Sequence, residues 1–139
     1  MKNLLSLPLF LILCASSCER MPLVDVVYRI RVINNSPIDM YIYKADADAE
    51  TQYPDTLLPS SNTKFFKLQS NKIWYYDSKN KWNENIKKLP ADTLSVFLID
   101  ADIFENKDWN TICDNYLILK RYDLSIEDLE KCNYTITYP

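Results

Sequence analysis

The chain has 139 residues, 47% hydrophobic and 25% charged, with 16 Lys and Arg against 19 Asp and Glu, the composition of one folded domain and not of a disordered or nucleic-acid-binding polypeptide. It contains neither glycine nor histidine. The first absence excludes loops in which a bare backbone cradles phosphate; the second excludes Ser-His-Asp and Cys-His catalysis and leaves any zinc site to carboxylates and thiolates.

At the N-terminus Lys2 precedes an apolar run from Leu4 to Leu13, interrupted by Ser6 and Pro8. That run is too short for a bilayer span of about 20 residues, and it has the length of a secretory h-region. Ala15, Ser16 and Ser17 bring small residues up to Cys18. The stretch "ASSC" resembles a bacterial lipobox, in which a signal peptidase cuts before a cysteine whose thiol receives a diacylglycerol. Cys14 follows the bulky Leu13, so Cys18 is the expected lipidation site. Ala15 stands where lipoboxes more often carry leucine, and an ordinary secretory cut after Ser17 meets the same small-residue rule. The expected organisation is a signal peptide over 1–17, a lipidated cysteine with a short tether over 18–23, and one domain over 24–139. Removal of the leader takes away Lys2 and leaves 15 basic and 19 acidic side chains, an acidic balance that argues against nucleic acid as a partner. Only "ERMPL" separates Cys18 from the first strand candidate. At ~3.4 Å per residue this tether reaches under about 20 Å.

Val24, Val26, Tyr28, Ile30 and Val32 alternate with Asp25, Arg29 and Arg31, the period of a half-buried strand. The turn "NNSP" ends it. Ile38, Met40 and Ile42 then alternate with Asp39, Tyr41 and Tyr43, and the two segments read as a hairpin. "TKFFKL" and "KIWYYD" are aromatic-rich strand candidates. "TLSVFLID" sets Leu94, Val96 and Leu98 on one face and Phe97 and Ile99 on the other, which predicts a central strand. In "NKDWNTICDN" the spacing of Trp109, Ile112 and Cys113 predicts a short helix opened by Asn106 or Asp108. "YLILKRY" returns to strand. "SIEDLEKC" predicts a second helix, with Ser125 and Asp128 at capping-box spacing. "NYTITYP" alternates as a last strand. With Asn, Asp, Ser and Pro supplying the turns, the fold expected is mainly β: an antiparallel β-sandwich of about seven strands with two short helices near the C-terminus.

The segment "KRYDL", the following "EDL" and the closing "TITYP", together with "YPDT" at 53–56, resemble small envelope lipoproteins of Bacteroidales gut bacteria. The resemblance implies an outer-membrane lipid anchor and a periplasmic or surface location. It carries over no catalytic residues.

Several constellations bear on chemistry. "DADAE" at 46–50 alternates acidic residues as a calcium loop does, but an EF-hand needs Gly at its sixth position and Glu at its twelfth, where Thr51 and Leu57 stand, and a solvated turn fits better. "DADIFENKD" gathers Asp100, Asp102, Glu105 and Asp108, partly explained by helix capping. "SNTK" at 61–64 matches a penicillin-binding Ser-x-x-Lys, but its Lys-Thr-Gly partner cannot exist without glycine. "DTL" occurs at 55–57 and 92–94 and matches the short O-glycosylation acceptor of this bacterial group. "IWYYDSKNKW" concentrates aromatics beside a polar loop, making Trp74, Tyr76 and Trp82 candidate ligand-binding residues, with strand packing as the competing role. Cys113 and Cys132 flank a strand, each in a short helix, and are either bridged or small buried hydrophobes. No metal or cofactor is expected. Two functions follow: a non-catalytic envelope lipoprotein that binds a glycan or protein partner, or a small carboxylate-dependent enzyme such as a glycosidase.

Overall fold

The computed structural model describes residues 27–45, 53–55 and 57–139. The leader, Cys18, its tether, the start of the first strand candidate and "DADAE" lie outside the described residues. Seven strands are described: β1 (Tyr28–Asn34), β2 (Met40–Ala45), β3 (Phe66–Leu68), β4 (Ile73–Ser78), β5 (Leu94–Asp100), β6 (Lys120–Leu124) and β7 (Thr135–Tyr138). Four short helices join them: α1 (Trp82–Ile86), α2 (Ala101–Asn106), α3 (Trp109–Asp114) and α4 (Ile126–Lys131). The strands form two sheets, one in the order β4-β1-β7 and one in the order β3-β2-β5-β6.

This topology corrects the hairpin reading, since β1 and β2 belong to different sheets. Asn34 is the reason. Fully buried at the end of β1, it donates from Nδ2 to the carbonyls of Ile38 (2.8 Å) and Gln69 (3.2 Å) and accepts on Oδ1 from the Ser36 amide (3.0 Å) and hydroxyl (2.6 Å). Three of those bonds shape the "NNSP" turn and the fourth ties it to the β3–β4 loop at Gln69, so the chain leaves the first sheet instead of folding back on β1. The expected all-antiparallel pairing also needs correction. β1 and β7 run parallel, from Arg31 opposite Thr135 to Asn34 opposite Tyr138, while the other pairs are antiparallel. β7 is reached from β6 in the other sheet through α4, and a crossover of this kind allows a parallel approach that a tight turn forbids.

β5 lies between β2 and β6, as its two-sided apolar pattern requires. Leu94, Val96 and Leu98 join a cluster with Ile30 and Val32 of the first sheet and Met40, Ile42 and Leu68 of the second. Phe97 and Ile99 point the other way, into a cluster with Tyr43, Phe65 and Ile112, against which Phe104 and Trp109 pack.

Helices are not confined to the C-terminal third. Asp108 caps α3 by accepting from the Thr111 amide (2.9 Å), and Ser125 and Asp128 form the reciprocal box of α4. α1 and α2 are additional. α2 is opened by Asp100, which accepts from the Asp102 amide at 2.7 Å, so part of the acidic run of "DADIFENKD" is capping. In α1 the buried pair is Trp82 and Ile86, four residues apart on one face.

A chain without glycine must place other residues in the left-handed region. Asn71, Ala91, Asp92, Tyr116, Asn133 and Tyr134 all have φ between 48 and 55°. Asparagine tolerates this geometry, whereas a Cβ-bearing alanine is strained there. Ala91→Gly at this exposed site is therefore expected to raise stability by about 0.5–1 kcal/mol, the usual cost of alanine at positive φ after allowing for the freer unfolded chain. A urea titration checks it, and an unchanged or lower midpoint contradicts it.

Candidate functional site

The register of β4 on β1 decides which aromatics meet solvent. Asp77 and Tyr75 stand opposite Arg29 and Arg31, while Tyr76 and Trp74 stand opposite Ile30 and Val32. The charged partners mark the outer face. Ile73 and Tyr75 are accordingly 44% and 46% exposed, and Trp74 and Tyr76 pack on the core. Trp82, at 4% exposure, is a core residue. Of the two roles open to Trp74, Tyr76 and Trp82 in the sequence, ligand binding and strand packing, their inward facing matches the second. They form an inward seam: Phe66 stacks on Trp74 at 5.7 Å between centroids, Trp74 meets Tyr76 at 5.9 Å, and Tyr76 meets Trp82 edge-on at 4.6 Å. The Lys44 ammonium lies 3.8 Å from the Tyr76 ring centroid, further closing that ring to a ligand.

Trp82 nevertheless lines a surface cleft of about 250 Å³. Tyr28 and Arg29 reach it from the start of β1, Lys81 and Asn83 from the opening of α1, and Glu130 and Tyr134 from the end of α4 and the turn into β7. Arg29 is fixed there by Asp77, to which it donates from Nε (2.5 Å) and Nη2 (2.7 Å). That fork holds the Asp77 carboxyl below its ordinary range and the Arg29 guanidinium above its own. Burial, then the Glu130 charge, pushes the Tyr134 hydroxyl up. The indole N–H of Trp82 is buried without a hydrogen-bond partner, a state that costs about 1–3 kcal/mol. The sequence signal for this cleft was weak, because its walls come from three segments separated by about fifty residues each.

A second cleft, about 410 Å³, is lined by Asp39, Lys67, Asp100, Asp102 and Glu105. Lys67 Nζ sits 2.7 Å from Glu105 Oε1 and 3.8 Å from Asp39 Oδ2, and the Tyr41 hydroxyl donates to Glu105 at 3.1 Å. The Lys67 bond, then the Tyr41 bond, lowers the Glu105 carboxyl. A general acid needs the opposite shift. Asp100 and Asp108 are occupied as helix caps. Among the described residues no cluster of three or more Cys, Asp or Glu has metal-binding geometry.

Four carboxyls share this lowered state: Asp77 through Arg29, Glu105 through Lys67, Asp108 through Thr111 and Asp128 through Ser125. A group whose folded pKa is depressed contributes stability above its unfolded pKa and loses it as pH falls through the folded value. Stability is therefore expected to be level between about pH 5 and 8, where no histidine titrates, and to decline below about pH 4, the unfolded carboxyl range. Urea midpoints at pH 7, 5 and 3 check this; equal midpoints at all three would contradict it.

Cys113 and Cys132 are free thiols, so of the two roles open to them in the sequence the bridge is not formed. The topology explains it. Ile112 of α3 packs into the cluster with Phe97 and Ile99, whereas Leu129 of α4 packs into the cluster with Leu94 and Leu98, on the opposite face of β5. Burial, then the Asp114 charge, raises the Cys113 thiol, which makes it a poor nucleophile. Ser61 of "SNTK" shares a hydrogen bond with Thr63 at 2.9 Å in an exposed turn. No protein-family model, curated protein or solved structure matches the chain.

Proposed function

We propose that the protein is an envelope lipoprotein, held in a membrane by a diacylated Cys18, whose β-rich domain has a non-catalytic binding role. The observation that carries this is the small-residue cut site "ASSC" directly after the apolar run Leu4 to Leu13, ten residues ahead of β1. The resemblance to Bacteroidales envelope lipoproteins supports the same location, the outer membrane on its periplasmic or surface face. We further read the two sheets as facing layers of a sandwich, because one core cluster draws its side chains from both. A binding role is favoured over catalysis by the pinned state of the carboxylates: Glu105 is tied to Lys67 and Asp77 to Arg29. Intact-mass analysis of the membrane fraction tests the anchor. A mature chain starting at Cys18 with a diacylglycerol mass is the expected result, and a soluble protein with an unmodified Cys18 overturns it.

One observation favours the second reading, a carboxylate-dependent enzyme: Asp39 and Glu105 share a cleft. That reading predicts hydrolysis of p-nitrophenyl glycosides by the wild type and its loss in Glu105→Gln.

A further inference from the structure

In the cleft between β1, α1 and the α4–β7 turn, polar side chains converge without partners. Among the described residues no hydrogen bond or ion pair engages the side chains of Tyr28, Lys81, Asn83, Glu130 or Tyr134, and the Trp82 indole N–H is an unpaired buried donor. Arg29 is the exception, spent on Asp77 through two of its nitrogens. With that guanidinium neutralised, the cleft keeps one free cation, Lys81, and one free anion, Glu130. Between and around them stand three groups that both donate and accept: two phenol hydroxyls and one amide. The Trp82, Tyr28 and Tyr134 rings supply the apolar part of the wall.

We infer that this cleft is a carbohydrate site that takes one sugar residue of a glycan chain. A hexose ring offers an apolar C–H face for the aromatic wall and a rim of hydroxyls, each able to donate to Glu130 or accept from Lys81 and Asn83. Hydrogen bonds to charged groups are the stronger ones, so Lys81 and Glu130 provide most of the affinity and the tyrosine hydroxyls set orientation. A zwitterion of amino-acid type would engage the single charge pair and leave the phenols and the amide unmatched. The volume, about 250 Å³, falls below the ~300–1,000 Å³ of sites for drug-sized ligands, which limits occupancy to one residue. The cleft is open at the surface, so the rest of the chain extends into solvent. The inference rests on the domain being a binding module and does not depend on the lipid at Cys18.

The test uses the full chain in detergent on a glycan array of neutral and uronate-containing oligosaccharides, followed by titration of the strongest hit through tryptophan fluorescence. Lys81→Ala and Glu130→Gln remove exposed polar ends and leave the core alone; each is expected to weaken binding at least tenfold, the effect of losing a charge-assisted hydrogen bond. Tyr134→Phe keeps the aromatic ring of the cleft wall and deletes the hydroxyl, and a loss of a few-fold is expected. Tyr75→Ala, on the outer sheet face, should bind as the wild type does. Sugar binding that survives all three cleft substitutions but fails in Tyr75→Ala overturns this site while leaving a binding module elsewhere on the domain. No binding to any array glycan overturns the carbohydrate inference, as does quenching by the dipeptide Ala-Phe with none by sugars. An unmodified Cys18 found by mass analysis bears on the anchor alone.

Discussion

Replacing Trp82 with alanine is expected to destabilise the protein by about 3–5 kcal/mol, the range for deleting a buried tryptophan and a large share of the ~5–15 kcal/mol that holds a domain together. The side chain is 4% exposed and belongs to the cluster with Ile86, Leu89 and Leu98. Its removal takes away the edge-on contact with Tyr76 and leaves a void that a five-residue helix cannot close. It also detaches α1, since Trp82 and Ile86 are the only buried residues of that helix. One term runs the other way: the unpaired indole N–H disappears with the ring, so the loss should fall toward the lower end of the range. Tyr75→Ala supplies the contrast. Its ring is 46% exposed beside the Arg29 guanidinium, 4.5 Å from the ring centroid, and about 1 kcal/mol or less is expected for a substitution on an open sheet face. In urea, the Trp82 variant should show a lower midpoint at an unchanged slope. A drop under about 1 kcal/mol for Trp82→Ala would return that ring to the surface.

The facing of β4 shows how far sequence alone could carry the argument. Alternation separates Trp74 and Tyr76 from Ile73 and Tyr75, and since all four are apolar or aromatic the one mark of the outer face within β4 is Asp77, at its end and of the same parity as Ile73 and Tyr75. Stronger information sits in β1, where Arg29 and Arg31 declare the outer face, and it becomes usable once β1 is known to pair with β4. Strand pairing is a non-local property, and the nearest neighbour in sequence, β2, was the wrong partner because four hydrogen bonds of Asn34 and Ser36 redirect the chain. By contrast β5 and the caps of α3 and α4 were legible from the residues. An apolar run of both parities can only be central, and Asp108 and Ser125 act on amides within three positions of themselves. α1 was missed because Lys81 offers no side-chain cap and Trp82 read as the end of an aromatic loop. The cleft was illegible for the same reason as the pairing: Tyr28, Lys81 and Glu130 are brought together by topology and by nothing in their local sequence.

Cys18→Ala is expected to abolish stable membrane attachment, and the chemistry of the remaining thiols makes the result readable in one experiment. Two acyl chains hold a protein far more firmly than one, since each buried methylene contributes about 0.8 kcal/mol and a single chain binds only reversibly. Wild-type chain should therefore stay in the membrane pellet through high-salt washing, while the alanine variant carries no diacylglycerol, whether it keeps its leader or is cut as an ordinary secreted protein. Cys14→Ala should give a mature mass identical to wild type, because Cys14 leaves with residues 1–17. Alkylation of the denatured mature protein then counts thiols. Cys113 and Cys132 are free and Cys18 would be blocked as a thioether, so maleimide should add twice without any reductant. Three additions would mean an unlipidated Cys18, and none would mean that Cys113 and Cys132 are bridged after all. A Cys18→Ala chain that remains in the washed pellet after its leader is removed would show that the attachment lies elsewhere on the molecule.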